Sequence, residues 1–481
     1  MKRIAIIGGG ISGLSAAFFL DQQQRAGAPL EYLLFEASPR LGGVLSTEHV
    51  EDCILEAGPD SFLTEKPWAS DLCRELGLGD QLIGSNDAER KTYILVNGRL
   101  IPIPDGLMFM VPTKVVPTAF SPLFSLGTKV RMAREWFYPK RAARFATEDE
   151  SVASLVERHY GEEVVARLAD PLLSGVYGGV ASELSVRAVL PRFAKMEQEY
   201  GSLGRGILAT RKIGSHKTSN PRRSLFTSLS GGMQQMVSAI VARLSPSALR
   251  VNTAVQTLHQ DEGWLVSTKD GTQRFDAIIL ATPAGNAGAL LRKVHEELST
   301  ELTGIRYSSS VIVNLVYDKT VRSQLPPGFG FLVPHSEGKN VLAVTFVHNK
   351  FNGRVPENRA LLRCFLGGTR NEGILESPDN QIIKLVREEL QQTLAISAEP
   401  LLTRVYKWKN VMAQYSVGHL DRIKRIASLQ RQLHGLTLAG NAYSGIGVPD
   451  CVRNAKEAAA DALRKVGLDQ PVSPLSSAGR A

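Results

Sequence analysis

Gly8, Gly10 and Gly13 stand at the spacing G-x-G-x-x-G, which suits a chain that must wrap a pyrophosphate. Glycine there permits a tight turn and close approach of backbone to phosphate, and the amides opening the next helix stabilise its charge. Gly9, Ile11 and Ser12 complete the loop. Glu36, 23 residues beyond Gly13, is placed to bind a ribose hydroxyl. Glycines alone are compatible with an ordinary turn; the acid at this distance points to a dinucleotide. Glu36 and Ala37 then lead into Arg40, Gly42 and Gly43, giving E-x-x-x-R-x-G-G. A guanidinium here can pair with pyrophosphate, and two glycines admit a ribityl chain and flavin edge. FAD is therefore favoured over NAD.

These residues need a strand, a turn and a helix to hold them. The apolar run at residues 3–7 suits a strand buried on both faces, 12–24 a helix, and 31–35 a second, parallel strand. Residues 1–88 read as the first part of an FAD-binding domain. Prolines 102, 104, 112, 117 and 122 break up the next apolar stretch, and helical patterns appear at 129–138, 152–160 and 162–173. Residues 89–205 therefore read as a helical insertion. The FAD domain resumes over 206–290, with a strand ending near Ala281-Thr282-Pro283. Strands at 308–317, 330–334, 341–346 and 360–367, with a helix at 379–394, predict a mixed-sheet substrate domain over 291–407. Strand, turn and helix return at 436–463, so 408–466 closes the FAD domain; 467–481, rich in Ser, Pro, Ala and Gly, reads as a disordered tail. The fold class is α/β with α+β character: a Rossmann-type domain, a mixed-sheet domain and a helical insertion.

Composition narrows the rest. With 43% hydrophobic and 21% charged residues the chain is not disordered as a whole. Its four cysteines lie far apart, which excludes a disulfide framework or a zinc ribbon and fits a reducing cytoplasm. The histidines are scattered, so no metal site is expected. No segment reads as transmembrane, and glycines interrupt the apolar N-terminal run that would imitate a signal peptide. The net charge is +9. Stretches 128–144, 205–223 and 404–425 carry +5, +6 and +5, leaving the remainder at −7. None alternates basic with aromatic residues, so nucleic acid is not expected; an anionic membrane surface or a polycarboxylate ligand remains open.

The extended glycine pattern resembles the amine-oxidase-like flavoproteins. Further matches are Gly58-Pro59-Asp60-Ser61, similar to the family's loop beside the flavin; Val255, in the strand that contacts adenine; Thr282; Gly440-Asn441; and Ile446-Gly447-Val448. The resemblance implies that a helix near 450–463 points its N-terminus at the flavin N1 and C2 carbonyl, where reduced flavin carries negative charge. It also implies a place for Trp408 near FAD. Within the superfamily, Arg40-Leu-Gly-Gly43, Pro171-Leu-Leu-Ser-Gly-Val-Tyr-Gly-Gly179 and Gly440-Asn-Ala-Tyr-Ser-Gly-Ile-Gly-Val-Pro-Asp-Cys451 look like the porphyrinogen oxidases of haem synthesis. That implies six-electron oxidation of a porphyrinogen in three rounds, with flavin as hydride acceptor and O₂ as final acceptor, giving hydrogen peroxide. Ser61-Phe-Leu-Thr-Glu-Lys66 and Tyr93-Ile-Leu-Val-Asn-Gly98 resemble the Gram-positive type, favouring coproporphyrinogen III over protoporphyrinogen IX. Lys66 would anchor a propionate, and Phe329, Gly330, Phe331 and Leu332 would form a wall against the ring. The implied insertion binds membranes, which allows a peripheral place on the inner face of the cell membrane. A ferrochelatase-type next enzyme and a homodimer stay open as partners. The rival expectations are a flavin amine oxidase, a carotenoid-type desaturase, and a non-enzymatic Rab-escort-type binding protein.

Overall fold

A computed structural model of the chain describes residues 1–108, 110–140, 148–214 and 224–468. Lys2–Ile7 forms the strand at the centre of a five-stranded parallel sheet, because Ile4 and Ile6 bury on one face while Ala5 and Ile7 bury on the other. It pairs with Leu30–Phe35 on one side and Ala277–Leu280 on the other; Leu249–Arg250 and Leu436–Leu438 are the outer strands. Three distant parts of the chain thus build one sheet. Helices Ile11–Arg25, Gln234–Arg243 and Val448–Lys465 pack one face; Ala284–Leu291, Glu296–Thr303 and His419–Gln430 cover the other. The helix Ile11–Arg25 is buried throughout Ile11–Asp21, so its apolar residues need no single stripe.

The second sheet has seven strands in the order Leu402–Ala413, Tyr307–Asp318, Arg359–Gly367, Val341–Phe346, Gly330–Leu332, Thr92–Val96 and Arg99–Pro102. Its alternation divides two cores. Tyr93, Leu95 and Phe331 join the core beneath helix Asp379–Leu394, while Ile94, Val96 and Leu332 face the helical block.

That block contains Val115–Phe120, Leu126–Glu135, Val152–Tyr160, Asp170–Tyr177, Pro191–Tyr200 and Leu203–Gly214. Among the described residues, no helix is long and apolar enough to cross a membrane. Two boundaries differ from expectation. The hairpin Thr92–Val96/Arg99–Pro102 belongs to the seven-stranded sheet, so the helical block begins after it, at Val115. Strand Leu402–Ala413 runs straight through the expected 407/408 junction; its pairing with Tyr307–Asp318 overrides a basic sequence that did not signal a strand. Residues 141–144 and 215–223 of the basic stretches, and 469–481 of the tail, lie outside the described residues.

Candidate functional site

The glycine turn follows the central strand, where the chain order reverses to either side, the place at which an open α/β sheet leaves a crevice. Each glycine has a separate reason. Gly8 has φ +110°, and a Cβ there would stand 2.7 Å from the Ala281 carbonyl oxygen. A Cβ on Gly13 would sit 1.8 Å from the Gly8 oxygen, so only glycine lets the helix close on the turn. A Cβ on Gly10 would meet nothing within 4 Å. That open space over the start of helix Ile11–Arg25 is the cradle a pyrophosphate needs. Ile11 and Ser12 are buried in the helix's first turn.

The second glycine pair is joined to the first. Gly42 N–H donates to Gly9 O at 2.8 Å, and Gly10 and Gly42 form a parallel bridge. Glu36 accepts from Gly9 N–H (2.7 Å) and Ser38 N–H (2.8 Å), fixing its carboxylate at the turn beside exposed Ala37. Arg40 donates to the carbonyls of Leu41 (3.1 Å), Leu45 (3.0 Å) and Gly43, and burial lowers its pKa. Its guanidinium is therefore spent on its own loop in this conformation. Val255 does not lie in a strand, contrary to expectation. It sits in the extended link between Arg250 and Thr257, held to the Glu36 segment by Thr253 N–H on Glu36 O at 2.8 Å.

The C-terminal motif meets the same crevice. Thr282, beside Gly8, has a buried hydroxyl with no partner, as does Tyr443. Gly447 opens helix Val448–Lys465 with no side-chain cap; Pro449 has no N–H and Cys451 N–H is taken by Gly447 O, so Val448 and Asp450 carry the uncapped first-turn N–H groups. Tyr415, which the motifs did not single out, organises this end. Its hydroxyl accepts from Gly445 N–H (2.7 Å) and donates to Asn441 O (2.8 Å), and its ring stacks on His419 at 4.1 Å. Asn441 Nδ2 reaches Val411 O at 2.8 Å, Ile446 is half-buried and Gly440 has φ +139°. Cys451 is a buried free thiol that burial pushes up to about 11, so it stays protonated at neutral pH.

Of Gly58, Pro59, Asp60 and Ser61, Gly58 lies against the second glycine loop, so close that a Cβ would stand 1.8 Å from Val44 O. Asp60 makes an ion pair with Lys350 at 2.9 Å and lies 3.5 Å from Arg363. Burial opposes ionisation, but the two cations hold its pKa well below the usual carboxylate range. Trp408 Nε1 donates to Ala57 O at 2.6 Å. Lys66, expected at a propionate, places its ammonium 2.6 Å from buried Asp450 in the first turn of the C-terminal helix. Phe331 and Leu332 point to opposite faces of the seven-stranded sheet, so they do not form one wall. Phe329 is buried, and Gly330 (φ +136°) packs against the Val344 carbonyl.

Open space over Gly10, an uncapped helix start and two unpartnered buried hydroxyls fit a dinucleotide flavin. Comparison with known proteins agrees. The chain is 34% identical to coproporphyrinogen III oxidase of Bacillus subtilis over 467 residues, covering 96% of this chain and 98% of that one. It is 30% identical to chloroplastic protoporphyrinogen oxidase 1 of Arabidopsis thaliana, covering 94% and 86%. A solved structure from Exiguobacterium sp. 255-15, named as a putative protoporphyrinogen oxidase, superposes with a TM-score of 0.86 at 29% identity, covering 97% and 99%. The model for flavin containing amine oxidoreductase matches residues 11–463, and the chain belongs to that family.

Proposed function

We propose that this chain is an FAD-dependent, oxygen-using porphyrinogen oxidase of haem synthesis, with coproporphyrinogen III the favoured substrate and protoporphyrinogen IX the alternative. The observation that carries the reading is the joined cradle of Gly8–Gly13 and Gly42–Gly43, in a chain similar along its length to named coproporphyrinogen III oxidases. FAD, held noncovalently, supplies the hydride acceptor. Gly10 to Gly13 and the start of helix Ile11–Arg25 would receive its pyrophosphate, Glu36 a ribose hydroxyl, and the uncapped start of helix Val448–Lys465 the negative end of the ring.

Apart from the ion pairs Lys66–Asp450 and Lys350–Asp60, three ring side chains beside that site, Tyr177, Tyr307 and His419, are kept uncharged. Burial pushes Tyr177 and Tyr307 up to about 12, and pulls His419 down to about 4. Such groups line and exclude water rather than trade protons at neutral pH, which suits a reaction whose hard chemistry belongs to the cofactor.

A peripheral membrane place belongs to the same proposal. Helices Val115–Phe120 and Leu126–Glu135 turn outward Val116, Phe120, Leu126 and Val130, followed by Phe137; Phe120 and Phe137 are 85% and 84% exposed. Lys114, Arg131, Arg134 and Lys140 are exposed around them. Apolar residues ringed by cations match an anionic bilayer surface.

Anaerobic mixing of the flavin-loaded protein with each porphyrinogen, and with an amine, tests the activity. Coproporphyrinogen III should bleach the flavin fastest. Bleaching by the amine alone would replace this reading with an amine oxidase.

A further inference from the structure

Five charged side chains meet beside residues 57–61, and they do not balance. Glu56, at the end of strand Cys53–Glu56, and Asp60 are the carboxylates; Lys350, Arg354 and Arg363 are the cations. All five side chains are between 1% and 14% exposed. Lys350 Nζ holds both carboxylate oxygens of Asp60 (3.0 and 2.9 Å). Arg363 stands 3.5 Å from Asp60 and donates to Gly58 O. Glu56 already accepts from Met233 N–H (2.8 Å) and Thr47 Oγ1 (2.7 Å), and its backbone oxygen from Asn314 Nδ2 (3.1 Å). Arg354 takes what is left: Ser228 Oγ at 2.5 Å, and Glu56 only at 3.8 Å, beyond hydrogen-bond reach.

Three cations against two carboxylates leave one positive charge in excess. Arg354 stands in the field of Glu56, Asp60 and Arg363, and Arg363 in that of both carboxylates, so the five act as one cluster. Burial favours the neutral form of Glu56, which enlarges the excess. Neighbouring charges pair among themselves, Arg404 with Glu48 at 2.8 Å and Arg359 with Glu51 at 3.3 Å. Arg354 Nη1 and Arg363 Nε, both buried, have no hydrogen-bond acceptor among the described residues. A buried cation without its own partner is destabilising unless an anion arrives to meet it. The cluster adjoins a place for that anion. Gly58 packs against Val44 of the second glycine loop, and Lys66, further along the same segment, pairs with Asp450 at the start of helix Val448–Lys465.

We propose that the excess cation of this cluster, supplied by Arg354, is the counter-charge for reduced flavin, and that the cluster holds the flavin's equilibrium toward its reduced form. The proposal rests on the flavin reading above. Hydride leaving a porphyrinogen carbon, which is thereby oxidised, brings two electrons and one proton to the ring, and one negative charge to the site. No proton has to move within the cluster to meet it. Buried charges act on one another with little screening by salt, so the arginine needs no direct contact with the ring. A substrate carboxylate is the other anion that would satisfy the excess.

Potentiometric titration of the flavin in the holoenzyme tests this field. Arg354→Met removes a cation whose hydrogen bond goes to Ser228 rather than to residues 57–61. It should shift the reduction equilibrium about tenfold toward oxidised flavin, about 30 mV for a two-electron couple. Asp60→Asn removes a carboxylate and should shift the equilibrium about as far the other way. The double variant should return close to wild type. A site that was merely loosened would move both single variants alike, toward the potential of free flavin. Shifts of one sign, or an unmoved potential in either single variant, overturn the proposal. If both are unmoved while Arg354→Met raises KM for coproporphyrinogen III, the excess serves a substrate carboxylate and the flavin assignment fails. Should Arg354→Met not fold, the sign of the Asp60→Asn shift decides alone. A wild-type protein that binds no flavin would instead defeat the function proposed above.

Discussion

Lys66 and Asp450 meet at 2.6 Å although 384 positions separate them in the chain. Asp450 is buried and Lys66 about one-third exposed, so the ammonium stands at a boundary between the helix start and solvent. A substrate propionate that reached Lys66 would share this cation with Asp450. On that basis Lys66→Ala should raise KM for coproporphyrinogen III about tenfold, the size expected for one charged hydrogen bond of about 1.5 kcal/mol, and that for protoporphyrinogen IX less. Steady-state kinetics on both substrates checks this; equal changes would remove the anchor role. The glycines at 8, 10 and 13 were legible because their reasons are local to a strand, turn and helix. Arg40's turn onto its own loop and the split of Phe331 and Leu332 to opposite sheet faces were not, since rotamer and sheet face depend on neighbours far along the chain.

At the scale of elements, His159 joins helices of the insertion. Its Nδ1 lies 3.0 Å from Glu135 Oε1 and its Nε2 3.1 Å from Glu197 Oε1, while Glu135 also receives Leu203 N–H and Ser202 Oγ. Arg158 bridges Glu150 and Glu197, and the rings of Tyr138 and Tyr160 flank His159. With both ring nitrogens on carboxylates, the imidazole is a buried cation. Burial works against this charge, but the hydrogen bonds to Glu135 and Glu197 outweigh it and raise the pKa above 6.5. A raised folded value means that the stabilisation is full below 6.5 and lost as pH climbs through the folded pKa. His159→Phe takes the imidazole from Glu135, which keeps Ser202 Oγ and Leu203 N–H, and from Glu197, which keeps Arg158, and should cost about 1–3 kcal/mol near pH 6. The Tm gap to wild type should then narrow as pH rises from about 6 to about 9; a gap constant with pH would rule out the cation. The helix Val152–Tyr160 was legible from its periodicity. The convergence of residues 135, 159 and 197 was not, because periodicity orients a face without naming its partner.

Over the whole molecule, the excess positive charge separates into two kinds. In the stretch 404–425, Arg404 pairs with Glu48, Lys407 with Asp379, Arg422 and Arg425 with Glu301, and Lys424 with Asp421. Among the described residues, no ion pair engages Lys129, Arg131 or Arg134, beside the outward apolar residues of the first stretch. Folding thus offsets most of the charge of one basic stretch and leaves another available. Flotation with anionic vesicles should capture the protein, and capture should fall as salt shortens the reach of the field to about 3 Å at 1 M. Phe120→Ser with Phe137→Ser should weaken it further, without loss of flavin. Equal capture by uncharged vesicles would leave the cations without a role.

Residue order alone was enough for the parallel strands, the glycine turn and the family, because alternation, glycine spacing and an acid at fixed distance are properties of short chain segments. It took the folded chain to pair Gly42 with Gly10, to tie the C-terminal motif through Tyr415, and to bring Asn314, Arg363 and Trp408 onto the carbonyls of one loop. Those are contacts between segments tens to hundreds of residues apart. Their partners are chosen by sheet order and packing, which local residue patterns do not encode.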